Sequence, residues 1–272
     1  MFRFILCVAL VLAACGPGRT TFQRYPGAPA AFDRAGSDPK AVEIADQVFT
    51  AAGGPTSWDK AKQVRWHQVT TSDGKVAQDG EEGWDRWNAR HYGRLHRTDN
   101  DIVVGYELYG TKAIAFAEER GKHDVKHNLD EGGRSKAVKL ARDVFNVDTT
   151  VLLLQFLMME PGAKLAYVGP AKDDAGSENY DELKVTFADP LRSELEFHPI
   201  IDRTTHLIQR IEIIKIGATQ KVGYTLKDWT TVGGLKLAQA RTNMGYSGET
   251  VAITEIVVGN PQDELFIAPI TN

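Results

Sequence analysis

Lys62-Gln63-Val64-Arg65-Trp66-His67-Gln68-Val69-Thr70-Thr71-Ser72-Asp73-Gly74-Lys75 is the stretch that decides how this chain folds. Its side chains follow a period of two, so Val64, Trp66, Gln68 and Thr70 share one face of a strand. Asp73-Gly74 then supplies the two residues that tolerate positive φ in a tight hairpin, turning the chain back at Lys75. Further strand-like runs follow at Trp84 to Leu95, Asp101 to Tyr109 and Lys112 to Glu118, with a break at Gly110. The C-terminal part repeats the pattern at Leu183 to Phe187, Ser193 to His198, His206 to Ile216, Lys221 to Trp229, Leu235 to Thr242 and Thr250 to Val258. Turn residues at Asp202-Arg203, Gly217-Ala218, Gly233-Gly234 and Ser247-Gly248 separate several of these runs.

Helical periodicity interrupts the strands at two places. Asp38 and Pro39 supply a cap and a first-turn proline, after which Val42, Ala45, Val48, Phe49 and Ala52 fall on one face before Gly53 stops the helix. In the middle of the chain, Gly133 to Phe145 suits a helix with Val138, Ala141, Val144 and Phe145 on its apolar stripe. Asp148 can cap another that carries Leu152, Phe156 and Met159 until Pro161-Gly162. Neither helix can bury its stripe alone, so both are expected on one face of a large curved antiparallel sheet, an α+β fold.

The N-terminus has a different character. Arg3 precedes an apolar run from Phe4 to Ala14, and Leu12-Ala13-Ala14-Cys15 ends it. About eleven apolar residues are too few to span a bilayer, which needs roughly 20, whereas a basic start, an apolar middle and small residues before a cysteine suit an export signal cut at Cys15. Residues 1–14 are therefore read as a lipoprotein signal peptide, with Cys15 the lipid-attachment residue and the membrane anchor. An ordinary secretory leader or a buried helix is the alternative. From Gly16 to Ser37 the Gly, Pro and Ala content shows neither period, so 15–37 is expected to be a flexible tether and 38–272 a single domain.

Loss of the leader would remove Cys7, leaving one cysteine and no disulfide within the chain, so the domain must be held by its own core. The net charge is −4 and no basic cluster occurs, which argues against nucleic acid as a partner.

Several patterns resemble the LolA/LolB/LppX group of periplasmic lipoprotein carriers and receptors. They are Ala51-Ala52-Gly53-Gly54 between the first helix and the first strand, Asp202-Arg203-Thr204-Thr205-His206-Leu207 opening a strand, and Asp228-Trp229 followed by Gly234-Leu235-Lys236-Leu237. Asn260, Asp263, Leu265-Phe266 and Pro269 complete the likeness, which runs from about Pro39 to Pro269. The resemblance implies a half-open β barrel with helices closing one side around an apolar cavity for acyl chains. No residue with which that group grips or releases cargo can be matched here. The lipid-bearing cysteine makes this chain more similar to an anchored receptor than to a soluble carrier. Gly16 after Cys15 is not the aspartate of the enterobacterial retention rule, so the implied location is the periplasmic face of the outer membrane.

Candidate cavity residues follow from the apolar strand faces. Phe187, Phe197, Ile211, Tyr224 and Leu226 project with apolar neighbours while Lys184, Glu196, Glu212 and Lys227 point the other way. Trp66, Trp84 and Trp87, with Tyr106 and Tyr109 nearby in sequence, form an aromatic group suited to the rim of a lipid site, and Phe156 lies on a candidate lid helix that ends in Met158-Met159. The same side chains could equally fill a solid core, and sequence does not separate the two.

Nothing points to catalysis, and no cofactor or metal is expected. His123 and His127 are four apart, but Asp124-Val125-Lys126 lacks the glutamate of the zinc protease pattern. Gly245-Tyr246-Ser247-Gly248 departs from the nucleophile elbow because Glu249 takes the place of the last glycine, and Glu81, Glu82 and Asp85 read as a solvated strand end. The expected function is a non-enzymatic, membrane-anchored binder of lipid or of an acylated lipoprotein. The competing reading is an envelope sensor or scaffold that uses the same fold to hold a protein partner.

Overall fold

Asp38 opens the folded body through its side chain, which accepts hydrogen bonds from the amides of Lys40 and Ala41 and starts α1 (Pro39–Ala51) with Pro39 in the first turn. Val42, Ile44, Ala45 and Val48 form its buried face. A short helix not expected from the sequence follows, α2 (Gly54–Lys60), which buries Trp58. The computed structural model describes residues 22–122, 125–172, 176, 178–246 and 248–267. The leader, Cys15 and Pro269 lie outside them, as do His123 and Ser247.

The first half is a meander of β1 (Gln63–Ser72), β2 (Lys75–Asp85), β3 (Arg90–His96), β4 (Asn100–Glu107), β5 (Ala113–Glu119) and β6 (Lys126–Asn128). Asp73 and Gly74 turn β1 into β2 with φ of 50° and 73°, as their sequence required. Trp84 to Leu95, read as one run, is a hairpin instead. The carboxylate of Asp85, fully buried, holds its turn by accepting from the backbone and side-chain amides of Asn88 and from Arg90. Asp85 is thus a structural acceptor and not a solvated strand end.

The chain then forms α3 (Glu131–Leu157), a single helix of 27 residues where two were expected. No proline or glycine interrupts it after Gly133, and Asp148, read as a cap, sits inside it and binds Gln68 and Arg241 instead. A second meander follows: β7 (Ala163–Ala171), β8 (Tyr180–Phe187), β9 (Leu195–Asp202), β10 (Ile208–Lys215), β11 (Lys221–Val232), β12 (Leu235–Asn243) and β13 (Thr250–Gly259). The last described element is a 3-10 turn, Asp263–Phe266. β1 pairs antiparallel with β13, so the two meanders fuse into one sheet with the order β6-β5-β4-β3-β2-β1-β13-β12-β11-β10-β9-β8-β7. Its edges do not meet, and the result is a curved, unclosed α+β half-barrel with the helices on its concave side. The edges are β6, three exposed residues long, and β7, which carries Pro170 and a bulge near Gly169, and both features discourage pairing with another chain.

The largest core cluster lies between the sheet and the helices. Phe156 stacks on Trp58 at 4.6 Å and meets Phe49 edge-on at 6.0 Å. Arg86 is buried beside them with its guanidinium 3.3 Å from the Trp58 ring, donating to the carbonyls of Trp58 and Ala61 and to Glu160. Burial lowers its pKa to about 10 against the pull of Glu160. A small second cluster of Tyr92, Val103 and Phe116 lies on the convex side, covered by Leu265 and Phe266.

Two of the sequence patterns that carried the resemblance touch each other. The amide of Lys236 donates to the carbonyl of Ala52, and a Cβ at Gly53 would stand 2.1 Å from the carbonyl oxygen of Gly234. Gly53 also has φ of 124°. Gly53→Ala is therefore expected to cost about 2 kcal/mol or more, since both the backbone conformation and the close approach oppose a side chain. A denaturant midpoint equal to that of the parent would refute this.

From Phe22 onward the stretch read as a tether lies against the body. Phe22 meets Trp87 edge-on at 5.3 Å, Tyr25 meets Tyr109 at 6.1 Å, and the Ser37 hydroxyl accepts from the amide of Leu165. Aromatic residues within a Gly- and Pro-rich stretch give this segment something to bury.

Candidate functional site

The two halves of α3 are packed differently. From Thr149 to Met158 every residue is buried, whereas from Glu131 to Val144 none is, and Leu140 is 50% exposed. The N-terminal half is only partly packed, through Ala137, Val138 and Ala141, and a partly open groove of about 330 Å³ remains beside it. That volume is at the lower end of the range of roughly 300–1,000 Å³ usual for ligand sites.

Strand alternation builds the floor. Gln68 of β1, Gly80 and Glu82 of β2, Gly93 and Leu95 of β3, and Ile102 and Val104 of β4 all point to the concave side. Glycines at two neighbouring floor positions leave space where side chains would stand. The roof is the stripe Ala137, Leu140, Ala141 and Val144, spaced three and four apart so that one helix face looks down on the floor. Lys136 and Arg97, both exposed, belong to the rim. At the inner end the Tyr106 hydroxyl donates to the carbonyl of Ala141, and Gln68 donates to Asp148, which also holds Arg241.

One acid sits in this apolar floor. The Glu82 side chain is 12% exposed and shares a 2.5 Å hydrogen bond with the Nε2 of His91, whose ring is fully buried against Phe145 at 4.5 Å. Burial pushes the Glu82 carboxyl up from its ordinary range, and the contact with His91 works in the other direction without cancelling it. A raised carboxyl pKa means that the folded state holds a proton which the unfolded chain releases. Stability from this group is full below the unfolded glutamate pKa and declines as pH rises through the folded one. Glu82→Gln keeps a hydrogen-bonding group of the same size without the titration. Its advantage over the parent in unfolding free energy is expected to grow as pH is raised from about 4.5 toward neutrality. A pH-independent difference between the two proteins would contradict this.

The nine residues put forward from sequence as cavity candidates lie elsewhere, and none of them lines the groove. Trp66, Phe156, Phe197, Ile211 and Leu226 are buried in the main core. Trp84 packs between Trp58 and Phe145, Phe187 against Phe197, and Tyr106 behind the groove. Tyr224 is half-buried under the Arg241 guanidinium. Met158 is fully buried, so the end of α3 is core and not a lid. Besides polar residues such as Gln68 and Glu82, the groove residues that sequence reasoning missed are small or aliphatic, and the readable signal was Gly93 inside a strand-like run.

No family model matches the sequence, and neither does any curated protein. Among solved structures, a DUF1329-family protein from Desulfovibrio piger superposes with a TM-score of 0.51 at 10% identity, over 85% of this chain and 98% of that one. The two share a fold. A domain from Vibrio parahaemolyticus named for outer-membrane lipoprotein sorting gives 0.46 at 9% identity over 84% and 96% of the two chains. A LolA superfamily protein from Nitrosomonas europaea gives 0.39 at 13% over 82% and 97%. The architecture is the half-open barrel that the resemblance implied, and its concave side holds the groove under α3. No helix among the described residues is long and apolar enough to cross a membrane.

Proposed function

We propose that this protein is a membrane-anchored, non-enzymatic binder of acyl chains, of a lipid or of an acylated lipoprotein, and that the groove between α3 and β1–β4 is its binding site. The observation that carries this reading is the apolar opening kept under one half of a helix whose other half is packed solid. Leu95, Ile102, Val104, Leu140 and Val144 give the groove apolar walls for an alkyl chain, and Arg97 and Lys136 at the rim suit an anionic or polar headgroup. Residues 1–14 act as the export signal, Cys15 bears the lipid, and residues 38–272 form the binding domain held at the periplasmic face of the outer membrane.

Magnitudes indicate the kind of binding. Ten buried methylenes would contribute about 8 kcal/mol, and association itself costs about 4 kcal/mol or more. Such a site releases its ligand readily, as transfer between membranes or carriers requires, and does not store it. Native mass spectrometry of the full-length protein extracted from membranes tests the reading: co-purified lipid or acylated peptide in stoichiometric amount is expected. Protein that carries no lipid and fails to bind a fluorescent fatty acid would defeat it. Recovery by crosslinking of a stoichiometric protein partner with the groove empty would favour the sensor or scaffold reading.

A further inference from the structure

The strands that floor the groove carry a second constellation on their other side. His67 of β1, Asp79 of β2 and His96 of β3 point to the convex face, and one ligand atom from each lies within 4.8 Å of the other two. His67 Nε2 is 2.6 Å from an Asp79 oxygen, and the two imidazoles stand edge to face with centroids 5.9 Å apart. The remaining ring nitrogens are engaged from behind. His67 Nδ1 is 3.3 Å from the Thr254 hydroxyl, and His96 Nδ1 is 2.9 Å from Asp101, whose other oxygen accepts from Arg94. His67 thus presents Nε2 to Asp79, and His96 is held through Nδ1, outer hydrogen bonds of the kind that fix metal-binding histidines.

Thr254 reaches its position through a defined irregularity. The register between β1 and β13 slips by one residue between Arg65 and His67, which sets Thr254 opposite His67, and Glu255 in the slip takes φ of 49°. A convex depression of about 240 Å³ bordered by His67, Glu81, Tyr92 and Glu255 adjoins the cluster and gives room for water ligands.

We propose that His67, Asp79 and His96 form a binding site for a divalent transition metal of the zinc class, on the convex face behind the lipid groove. Two imidazoles and one carboxylate without thiolate suit Zn²⁺ and its first-row neighbours. With bonds of about 2.0–2.2 Å, tetrahedral ligand atoms stand roughly 3.3 Å apart. His67 and Asp79, now 2.6 Å apart, would have to open while His96 moves in, which rotation of these partly exposed side chains allows. A fourth position is left to water. Because the site ties β1, β2 and β3 together, an occupied site would brace the groove floor from the reverse side.

The test is calorimetric titration of Zn²⁺ alone into full-length protein in detergent, previously stripped with a chelator. One equivalent is expected to bind saturably in the micromolar range. His67→Ala and His96→Ala should each weaken uptake at least tenfold, and Asp101→Asn should weaken it about tenfold through the orientation of His96. His198→Ala, on β9 and paired with Glu182, should leave it unchanged. Circular dichroism shows whether each variant is folded, and His96→Gln replaces any that is not. Absence of saturable Zn²⁺ uptake by the parent, or uptake undiminished in both folded histidine variants, would overturn the proposal. Neither result depends on lipid binding.

Discussion

Gly93→Leu is expected to weaken acyl-chain binding roughly 100-fold while leaving the protein folded. A Cβ at this position would make ordinary contacts with His91 at 3.4 Å and Glu82 at 3.6 Å, and its backbone is not in the left-handed region, so a side chain is accepted without strain. The leucine would extend into the groove and take the place of about four methylenes of a bound chain, worth roughly 3 kcal/mol. Gly80 is unsuitable for the same purpose, because a Cβ there would stand 2.4 Å from the carbonyl oxygen of Arg94 and disturb the sheet. Ala137→Phe approaches from the roof and should act in the same direction. Displacement of a fluorescent fatty acid gives the affinities, and thermal unfolding gives the stability, expected to be unchanged or raised as a void fills. Parent-like affinity in both variants would move the binding site away from this groove.

The second large effect concerns stability. Arg86→Met is expected to cost about 3 kcal/mol, because it leaves the carbonyls of Trp58 and Ala61 without their buried donor and Glu160 with only the Trp58 indole N–H. For a domain of this size that lowers the melting temperature by roughly 10 °C. Arg86→Met combined with Glu160→Gln removes the stranded charge, so the double variant should recover part of the loss, a coupling that a double-mutant cycle reads directly. A single variant within about 1 kcal/mol of the parent would show that Arg86 is a passenger in the core.

These two sites differ in how much of them could be read before the fold was known. The alternation around Trp66, the Asp73-Gly74 turn and the Asp38-Pro39 cap act through residues next to one another in the chain, and each appears where local chemistry placed it. The meaning of Gly53 was half legible: a helix stop is a local property, but the need for a glycine against the carbonyl of Gly234 arises from a contact across 181 positions. The split of one expected run into β2 and β3 depended on Asp85 becoming a buried acceptor, and a carboxylate that looks solvated in sequence carries no mark of that role. Likewise Asp148 has a cap's chemistry, but Arg241 from β12 and Gln68 from β1 compete for it, and the helix runs through.

Large aromatic and aliphatic residues signalled burial, and they are buried, but burial is the opposite of lining an opening. The groove depends on what is missing at Gly80 and Gly93 and on a helix that is only partly buried over half its length. Similarly, His67, Asp79 and His96 are separated by 12 and 17 positions, and only the register of three strands brings their side chains together. The sequence by itself determined the first helix, most of the strands and their apolar faces, because these follow from periodicity and turn chemistry over a few residues. The tertiary structure alone decided the pairing of β1 with β13, the unbroken helix, the groove and the convex triad, since each arises from side chains that meet only after distant strands have taken their register.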